Sequence, residues 1–180
     1  GSPEEQRELR NLCLEFKDVF GPLPYGGSNL PPMDIELKKD SEGNEIQPKR
    51  LPCRHFAPWI TKLIEEDVQM QLNNGWYVEG ESPYGSPIVA ARQPQKGPNA
   101  RRICVDYGEV NKCAVETRYP VKNQEEVTRR LAGSKRYSNV DLLKGFHQMR
   151  LTERASLLLA VITSLGMYLP VTAPFGFHAL

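Results

Sequence analysis

The sequence predicts an α+β fold, because segments with helical and strand-like patterns follow one another in mixed order. Two helices are indicated by apolar residues that recur at helical spacing, one near the start of the chain and one after Pro58. Strands are indicated by short apolar runs that glycine and proline residues separate. With 39% hydrophobic and 25% charged residues, the 180 residues have the composition of a globular domain or of part of a larger one.

The first half of the chain predicts two helices and a strand–turn–strand segment between them. The first helix lies within residues 3–20, and the extended linker GPLPYGGSNLPP ends it. Its apolar stripe consists of Leu9, Leu12, Cys13, Phe16 and Phe20. Residues 33–53 predict a strand, a turn at 41–44 and a second extended segment. Pro58 opens the second helix and Gly75 ends it. The apolar face of this helix contains Ile60, Leu63, Ile64, Val68 and Leu72.

The second half of the chain predicts mostly strands. SPIVAA and RRICVDY are predicted to form two strands joined by the long tip RQPQKGPNA. Asn123, followed three residues later by Glu126, is a capping-box pattern that opens a short helix to about Leu131. RYSNVDL predicts the next strand, and LLLAVITSLGMYLPV predicts a hairpin that turns near Gly166.

The basic residues are unevenly distributed, although the net charge is only +1. Residues 82–105 contain four cations and no acid, and residues 127–150 contain six cations and one acid, Asp141. We expect one basic face and one acidic region, although a charge run is more often a solvated surface.

The cysteines and the first residues indicate an intracellular protein, cytoplasmic or nuclear. The four cysteines lack Cys-x-x-Cys spacing, and GSPEEQRELR is not a secretory signal, so reduced thiols are expected. Cys53 and His55 could contact one metal ion, but two ligands do not make a site. No apolar run reaches the ~18 residues that span a bilayer, so no membrane partner is expected.

Five blocks in fixed order carry a resemblance to a known family. They are SPYGSPIV, RRICVDYGEVN, RYPV, LAGSKRYSNVDLLKGFHQMRL and GMYLPVTAPFG. Their order and spacing resemble the reverse transcriptase of gypsy-type LTR retrotransposons, from about residue 14 onward. The resemblance implies the fingers and the first part of the palm of a right-hand polymerase. It predicts an N-terminal helix and linker in 1–50, a fingers-like region in 51–116 and 149–180, and a partial palm in 117–148.

The resemblance implies a catalytic, metal-binding role for Asp141. In that family the aspartate of the VDL strand is one of three carboxylates that hold two magnesium ions. Magnesium prefers carboxylate oxygens, and two such ions activate the primer 3′-hydroxyl and stabilise the leaving pyrophosphate. An arbitrary aspartate in such a position is otherwise a solvated turn residue.

The resemblance also implies five nucleotide-binding residues. Arg102 matches the arginine that contacts the triphosphate, a task that suits the fixed fork of a guanidinium. Phe146 matches the aromatic steric gate that excludes a ribose 2′-hydroxyl, and a core aromatic is the alternative. Lys96 matches the finger-tip lysine, but the long tip leaves its register open, and a solvated loop lysine is the alternative. Phe175 and Gly176 match the segment beside the nucleotide and template base, with a plain turn as the alternative.

The sequence also departs from the family pattern. The paired aspartates of the family lie in a Tyr-x-Asp-Asp hairpin after the Pro-Phe-Gly block, and the 180 residues do not include them. Gly108, Leu158 and Leu159 stand where the family has an arginine, a lysine and a threonine. Apolar character is retained at these positions and polar functional character is reduced, as in a scaffold retained without its chemistry or equally in a divergent but active element.

Two functional hypotheses follow. The first is a reverse transcriptase fragment, inactive by itself, that binds RNA or DNA template-primer and deoxynucleotides and holds magnesium weakly or not at all. The second is a domesticated, non-catalytic retrotransposon remnant that binds nucleic acid or protein. A truncated palm would expose strand edges and apolar surface, so self-association or a protein partner is also expected. An unrelated α+β interaction domain would not explain five ordered blocks.

Overall fold

The computed structural model describes residues 1–22, 25–116 and 123–177, and these residues form an α+β fold as predicted. The helices are α1 Pro3–Glu15, α2 Pro58–Asn73, α3 Gly108–Cys113, α4 Gln124–Leu131 and α5 Glu153–Leu158. The strands are β1 Tyr77–Glu79, β2 Ser86–Arg92, β3 Arg101–Val105, β4 Val161–Thr163 and β5 Gly166–Pro170. The RYPV block at 118–121 lies outside the described residues.

One mixed five-stranded sheet, in the order β1-β5-β4-β2-β3, organises the described part of the chain. Both predicted hairpins form: β2 pairs with β3 and β4 pairs with β5, each antiparallel. A short parallel pairing of β2 with β4 joins the two hairpins, with Ser86 opposite Val161 and Pro87 opposite Ile162. Strand β1 completes the sheet by pairing with β5.

Helix α2 packs on this sheet as its apolar face predicts. Ile64 and Val68 are buried in a cluster that also contains side chains from β1, β2, β4 and β5. Pro58 is the first residue of the helix, and Gly75, with φ of +67°, lies just past its end. A left-handed backbone is costly for residues with a Cβ, so glycine suits this stop.

Helix α1 also forms as predicted, but its apolar stripe is not buried. Ser2 caps it in a capping box with Glu5, since the Ser2 hydroxyl accepts from the Glu5 amide and the Glu5 carboxylate accepts from the Ser2 amide. Leu9, Leu12 and Phe16 are each about half exposed, and no residue of α1 is buried. Local capping and propensity therefore account for this helix better than tertiary packing does.

A second hydrophobic cluster lies around α3, α5 and the segment before α2. Ile35 and Leu37 reach it from the N-terminal segment, and Tyr107 donates a hydrogen bond to the Leu159 carbonyl at 3.2 Å. Leu158 and Leu159, which depart from the family pattern, are almost completely buried in this cluster. Leucine at these positions therefore serves the core.

The predicted strand RYSNVDL is wrong, because residues 136–142 have no regular secondary structure and every one of them is exposed. A strand depends on backbone hydrogen bonds to a neighbouring strand, and no strand among the described residues pairs with this segment. Val140 is 79% exposed and Leu142 is 69% exposed, so the apolar residues that suggested the strand face solvent.

Two other expectations are corrected in part. The turn at 41–44 forms, but the extended segments on either side make only single bridges, such as Lys39 with Glu45. The first two residues of the apolar run that starts at Leu157 form the end of helix α5. The hairpin therefore begins only at Val161, the first residue of β4. The pairing of β4 with β2 sets this boundary, because Val161 is the first residue of the run that pairs with β2, opposite Ser86.

We predict that Gly85→Ala destabilises the fold through one contact. A Cβ on Gly85 would lie 2.1 Å from Cδ1 and 2.6 Å from Cγ1 of Ile162, beside the parallel pairing of β2 with β4. Overpacking of this kind lowers the free energy of unfolding by about 1–3 kcal/mol, as urea denaturation would measure.

The control is the double variant Gly85→Ala with Ile162→Ala, which removes the atoms in conflict. Its loss of stability should be smaller than the sum of the two single losses. Strict additivity would show that the close approach of Gly85 to Ile162 is not the constraint.

Candidate nucleotide-binding cleft

A cleft of about 1000 Å³ opens beside β3, between helix α2, the tip after β2 and the turn at 143–148. Four of the six predicted site residues line it: Lys96, Arg102, Phe146 and Phe175. They come from three separate parts of the chain, and the sheet and helix α2 bring those parts together.

Phe146, Phe175 and Arg102 form a contact cluster in this cleft. The rings of Phe146 and Phe175 meet edge to face, with centroids 5.1 Å apart and an interplanar angle of 79°. The guanidinium carbon of Arg102 lies 4.4 Å from the centroid of Phe175. Both rings stay exposed, at 40% and 55%, so they keep surface available for a flat ligand. Their contact is favourable by about 0.5–1.5 kcal/mol beyond burial, which holds the two rings together.

The tip between β2 and β3 carries Lys96 and ends at Arg101. Residues Pro94–Lys96 form one turn of 3-10 helix, and Gly97 follows with φ of +122°. The Lys96 amide donates to the Gln93 carbonyl, which closes this turn. The tip is exposed, and Lys96 therefore faces the cleft from a short, locally bonded loop rather than from a strand.

Gly176 is beside the cleft but does not line it. Its φ is +100°, and the Asn111 side-chain amide donates to its carbonyl at 3.2 Å. A Cβ at this position would lie 3.4 Å from the Val105 carbonyl oxygen. Gly176 thus allows the turn that presents Phe175 to pass close to the end of β3.

Asp141 is exposed and is not among the residues that line the cleft, although its neighbour Leu142 is. Among the described residues, no three His, Cys, Asp or Glu side chains lie close enough to hold a metal ion together. Within these residues Asp141 therefore has no cluster of carboxylates with which to share a magnesium pair, and the cleft is lined by cations, aromatic rings and the carboxylates of Glu66 and Asp67.

The turn that carries Phe146 is anchored by Trp76, which sequence reasoning missed. The Trp76 and His147 rings stack with centroids 4.2 Å apart and an interplanar angle of 3°. The Lys144 ammonium lies 4.3 Å from the centroid of Trp76. Trp76 is only 3% exposed, so the residues packed around it hold its ring in position. The sequence signal was the basic and aromatic cluster around Phe146, but nothing in it identified the distant partner.

Lys144 needs this support because its backbone is left-handed, with φ of 46° and ψ of 50°. For a residue with a Cβ this conformation costs on the order of 1–3 kcal/mol. The contact with Trp76 offsets part of the cost. The half-buried carboxylate of Asp67 also attracts Lys144: burial raises the pKa of Asp67, and the ammonium of Lys144 opposes that shift.

The same environment disfavours the protonated form of His147. Burial lowers the pKa of His147, and the nearby ammonium of Lys144 lowers it further. The unfolded chain, with an ordinary pKa near 6.5, therefore binds a proton more readily than the fold does as pH falls. The stabilising contribution is complete above pH ~6.5 and is lost as the pH falls below that value.

We predict a measurable pH dependence from this residue. The free energy of unfolding should fall between about pH 7 and pH 5 in the original protein and fall less in His147→Gln. Denaturant titrations at several pH values measure the difference, and proton NMR of the imidazole should give a pKa below 6.5.

The matched control is His55→Gln, because His55 is exposed and has no stacking partner among the described residues. It should keep the pH dependence of the original protein. Identical curves for the original protein and His147→Gln would contradict the prediction.

Comparison with curated proteins finds similarity to transposon polyproteins. The chain is 35% identical to the retrovirus-related Pol polyprotein from transposon 297 of Drosophila melanogaster over 115 residues. This alignment covers 63% of this chain and 11% of that protein. The chain is 26% identical to the retrovirus-related Pol polyprotein from transposon 412 of the same organism over 174 residues. That alignment covers 94% of this chain and 14% of the transposon protein. The chain thus spans a small part of the curated relatives that it matches. No family model matches.

Comparison with solved structures identifies the fold. The native prototype foamy virus protease-reverse transcriptase superposes with a TM-score of 0.75 at 20% identity, over 97% of this chain and 23% of that one. The foamy viral protein in complex with RNA/DNA hybrid gives 0.72 at 17% identity, over 98% and 23%. The predicted resemblance to reverse transcriptases of LTR retrotransposons is thereby confirmed. This chain is similar to a reverse transcriptase-like region of retrotransposon Pol polyproteins and has the α+β fold of polymerase fingers and palm.

Proposed function

We propose that this chain is the nucleotide- and template-contacting part of an RNA-directed DNA polymerase. The observation that carries the proposal is the convergence of Lys96, Arg102, Phe146 and Phe175 in one cleft. Further support comes from solved reverse transcriptases of the same fold that are described in complex with double-stranded DNA and with RNA/DNA hybrid.

The cleft is suited to a nucleotide because it combines cations with exposed aromatic surface. Arg102 can pair with phosphate oxygens through two parallel hydrogen bonds, and Lys96 adds a point charge from the tip. Phe146 and Phe175 offer a flat apolar wall for the sugar and base. In this assignment Phe146 acts as the steric gate, and Gly176 shapes the turn that presents Phe175.

The catalytic part of the proposal concerns Asp141. Two-metal catalysis requires several carboxylates around a pair of hard cations, and Asp141 is one exposed carboxylate outside any such cluster among the described residues. Asp141 would be one ligand of a magnesium site that other carboxylates complete. By itself the chain would hold magnesium weakly and would not catalyse nucleotide transfer.

The alternative is a domesticated remnant without catalysis that binds nucleic acid or protein. The exposed apolar side chains of the segment 127–143 favour it, because surface of this kind marks contact sites for other molecules. Val127, Leu131, Tyr137, Val140, Leu142 and Leu143 are all at least 40% exposed. Nucleic-acid binding is compatible with both functions, whereas polymerase activity in any longer form of the protein belongs only to the first.

Binding of single-stranded nucleic acid is the first test. We expect weak, sequence-independent affinity that falls steeply with salt, with a log–log slope of roughly −0.7 for each phosphate contacted. Fluorescence anisotropy of a labelled oligonucleotide at several salt concentrations measures the slope. Arg102→Gln should make the slope shallower by about 0.7, because one phosphate contact is lost.

The control for this test is Lys39→Gln, which removes the same charge from the exposed turn at 39–45, away from the residues that line the cleft. Its salt slope should equal that of the original protein. Absence of binding even at low salt would contradict the proposal and would leave a protein partner as the function of the basic residues.

Primer extension is the second test. We expect the purified 180-residue chain to incorporate no deoxynucleotides on a primed template with magnesium present, because too few carboxylates hold the metal ions. Gel electrophoresis of a labelled primer detects a single added nucleotide. Template-dependent extension that Asp141→Asn abolishes would overturn this expectation.

A further inference from the structure

Trp59 is a large aromatic residue that the fold leaves open to solvent. The chain has two tryptophans: Trp76 is 3% exposed, whereas Trp59 is 45% exposed. Trp59 is the second residue of α2 and belongs to neither hydrophobic cluster. Tryptophan is strongly buried on average and is enriched at interfaces, so the exposed part of this indole is surface available to a ligand.

The guanidinium of Arg101 packs on this indole. Its central carbon lies 5.1 Å from the centroid of the Trp59 ring. The same guanidinium donates hydrogen bonds to the carbonyls of Pro98 and Ala100, at 3.2 and 3.0 Å, which fixes its position at the start of β3. Arg101 also lines the cleft, although Trp59 does not. Arg101 therefore connects the cleft to the exposed indole.

The cations around Trp59 are not neutralised by ion pairs within the described residues, although Glu66 and Asp67 line the same cleft. Arg92 is the register partner of Arg101 across the hairpin, and Arg102 and Lys96 lie on the same hairpin and its tip. Within the described part of the chain, none of these four cations forms an ion pair. A polyanion is the ligand that complements such a surface, and the salt-dependent binding proposed above requires one.

We propose that Trp59 is a stacking platform for an unpaired base of a single-stranded nucleic acid, with Arg101 contacting the adjacent phosphate. This inference rests on the proposed function, which places nucleic acid in the neighbouring cleft. Every base has a π-face, so stacking on an indole is independent of sequence. Inside a duplex each base face is covered by the next base pair, so apart from the ends of a linear duplex only a single strand can use the platform.

Intrinsic fluorescence provides a direct test. A base stacked on Trp59 should quench its emission, whereas the buried Trp76 should not respond. Titration of the protein with oligothymidylate should therefore lower the emission, and the Trp59→Leu variant, in which Trp76 is the remaining tryptophan, should show no change. An abasic strand of equal length and a relaxed circular duplex, which has no exposed terminal base pair, should not quench.

Affinity provides the quantitative test. Trp59→Ala should weaken binding of oligothymidylate by about 5- to 150-fold, the effect of one lost base stack, and Trp59→Phe should retain most of the affinity. The salt slope should stay the same in Trp59→Ala, since no phosphate contact is lost, and become shallower by about 0.7 in Arg101→Gln. Phe20→Ala, which removes an exposed aromatic outside the cleft, should bind as the original protein does.

The outcomes separate this inference from the proposed function. Binding that is unaffected by Trp59→Ala and causes no quenching would overturn the stacking platform and leave the proposed function intact. No binding at all, measured by anisotropy at low salt, would overturn both. Circular dichroism of each variant establishes that the fold is retained. Comparison of Trp59→Phe with Trp59→Ala separates the contribution of an aromatic ring to binding from the effect of any substitution at this position of helix α2.

Discussion

The parallel pairing of β2 with β4 is the constraint on which the rest of the structure depends. It consists of only two residue pairs, yet it joins two hairpins whose sequences lie about 75 residues apart. The Ser86 amide donates to the Ala160 carbonyl at 2.8 Å, and Gly85 permits Ile162 to approach the backbone closely. Val161 is completely buried in the cluster that helix α2 forms with strands β1, β2, β4 and β5. Without this junction the β2–β3 hairpin would be a marginal two-stranded unit, separate from the three strands β1, β5 and β4.

The cleft is a consequence of that junction. The edge strand β3 and the tip bring Arg102 and Lys96, while the chain after β5 brings Phe175, and the turn at 143–148 brings Phe146. The Trp76 ring holds this turn in place, because it contacts both Lys144 and His147, which lie on either side of Phe146 in sequence. A strained lysine backbone and a partly buried histidine are tolerated here because their contacts with the Trp76 ring compensate for them.

The charged residues divide into two groups with different physical roles. Arg154 is paired with Asp34 and Glu45 and also donates to the Ile35 carbonyl, so it attaches the N-terminal segment to α5. The cations of the β2–β3 hairpin have no such partners among the described residues. Exposed cations without counterions add little to stability, and their field is therefore available for an anionic ligand.

The sequence by itself determined the elements that depend on neighbours along the chain. Helices α1 and α2, the two hairpins and the stop at Gly75 follow from periodicity, capping and turn residues, which are local properties. The family resemblance supplied the candidate site residues as well. Only the tertiary structure decided which of them meet: Phe146 contacts Phe175 from 29 residues away, and Asp141 stands apart from both. The failed strand at 136–142 has the same cause, since strand formation requires a partner that no local pattern specifies. Trp76 illustrates the limit most clearly, because its partners His147 and Lys144 lie about 70 residues away and only packing brings them together.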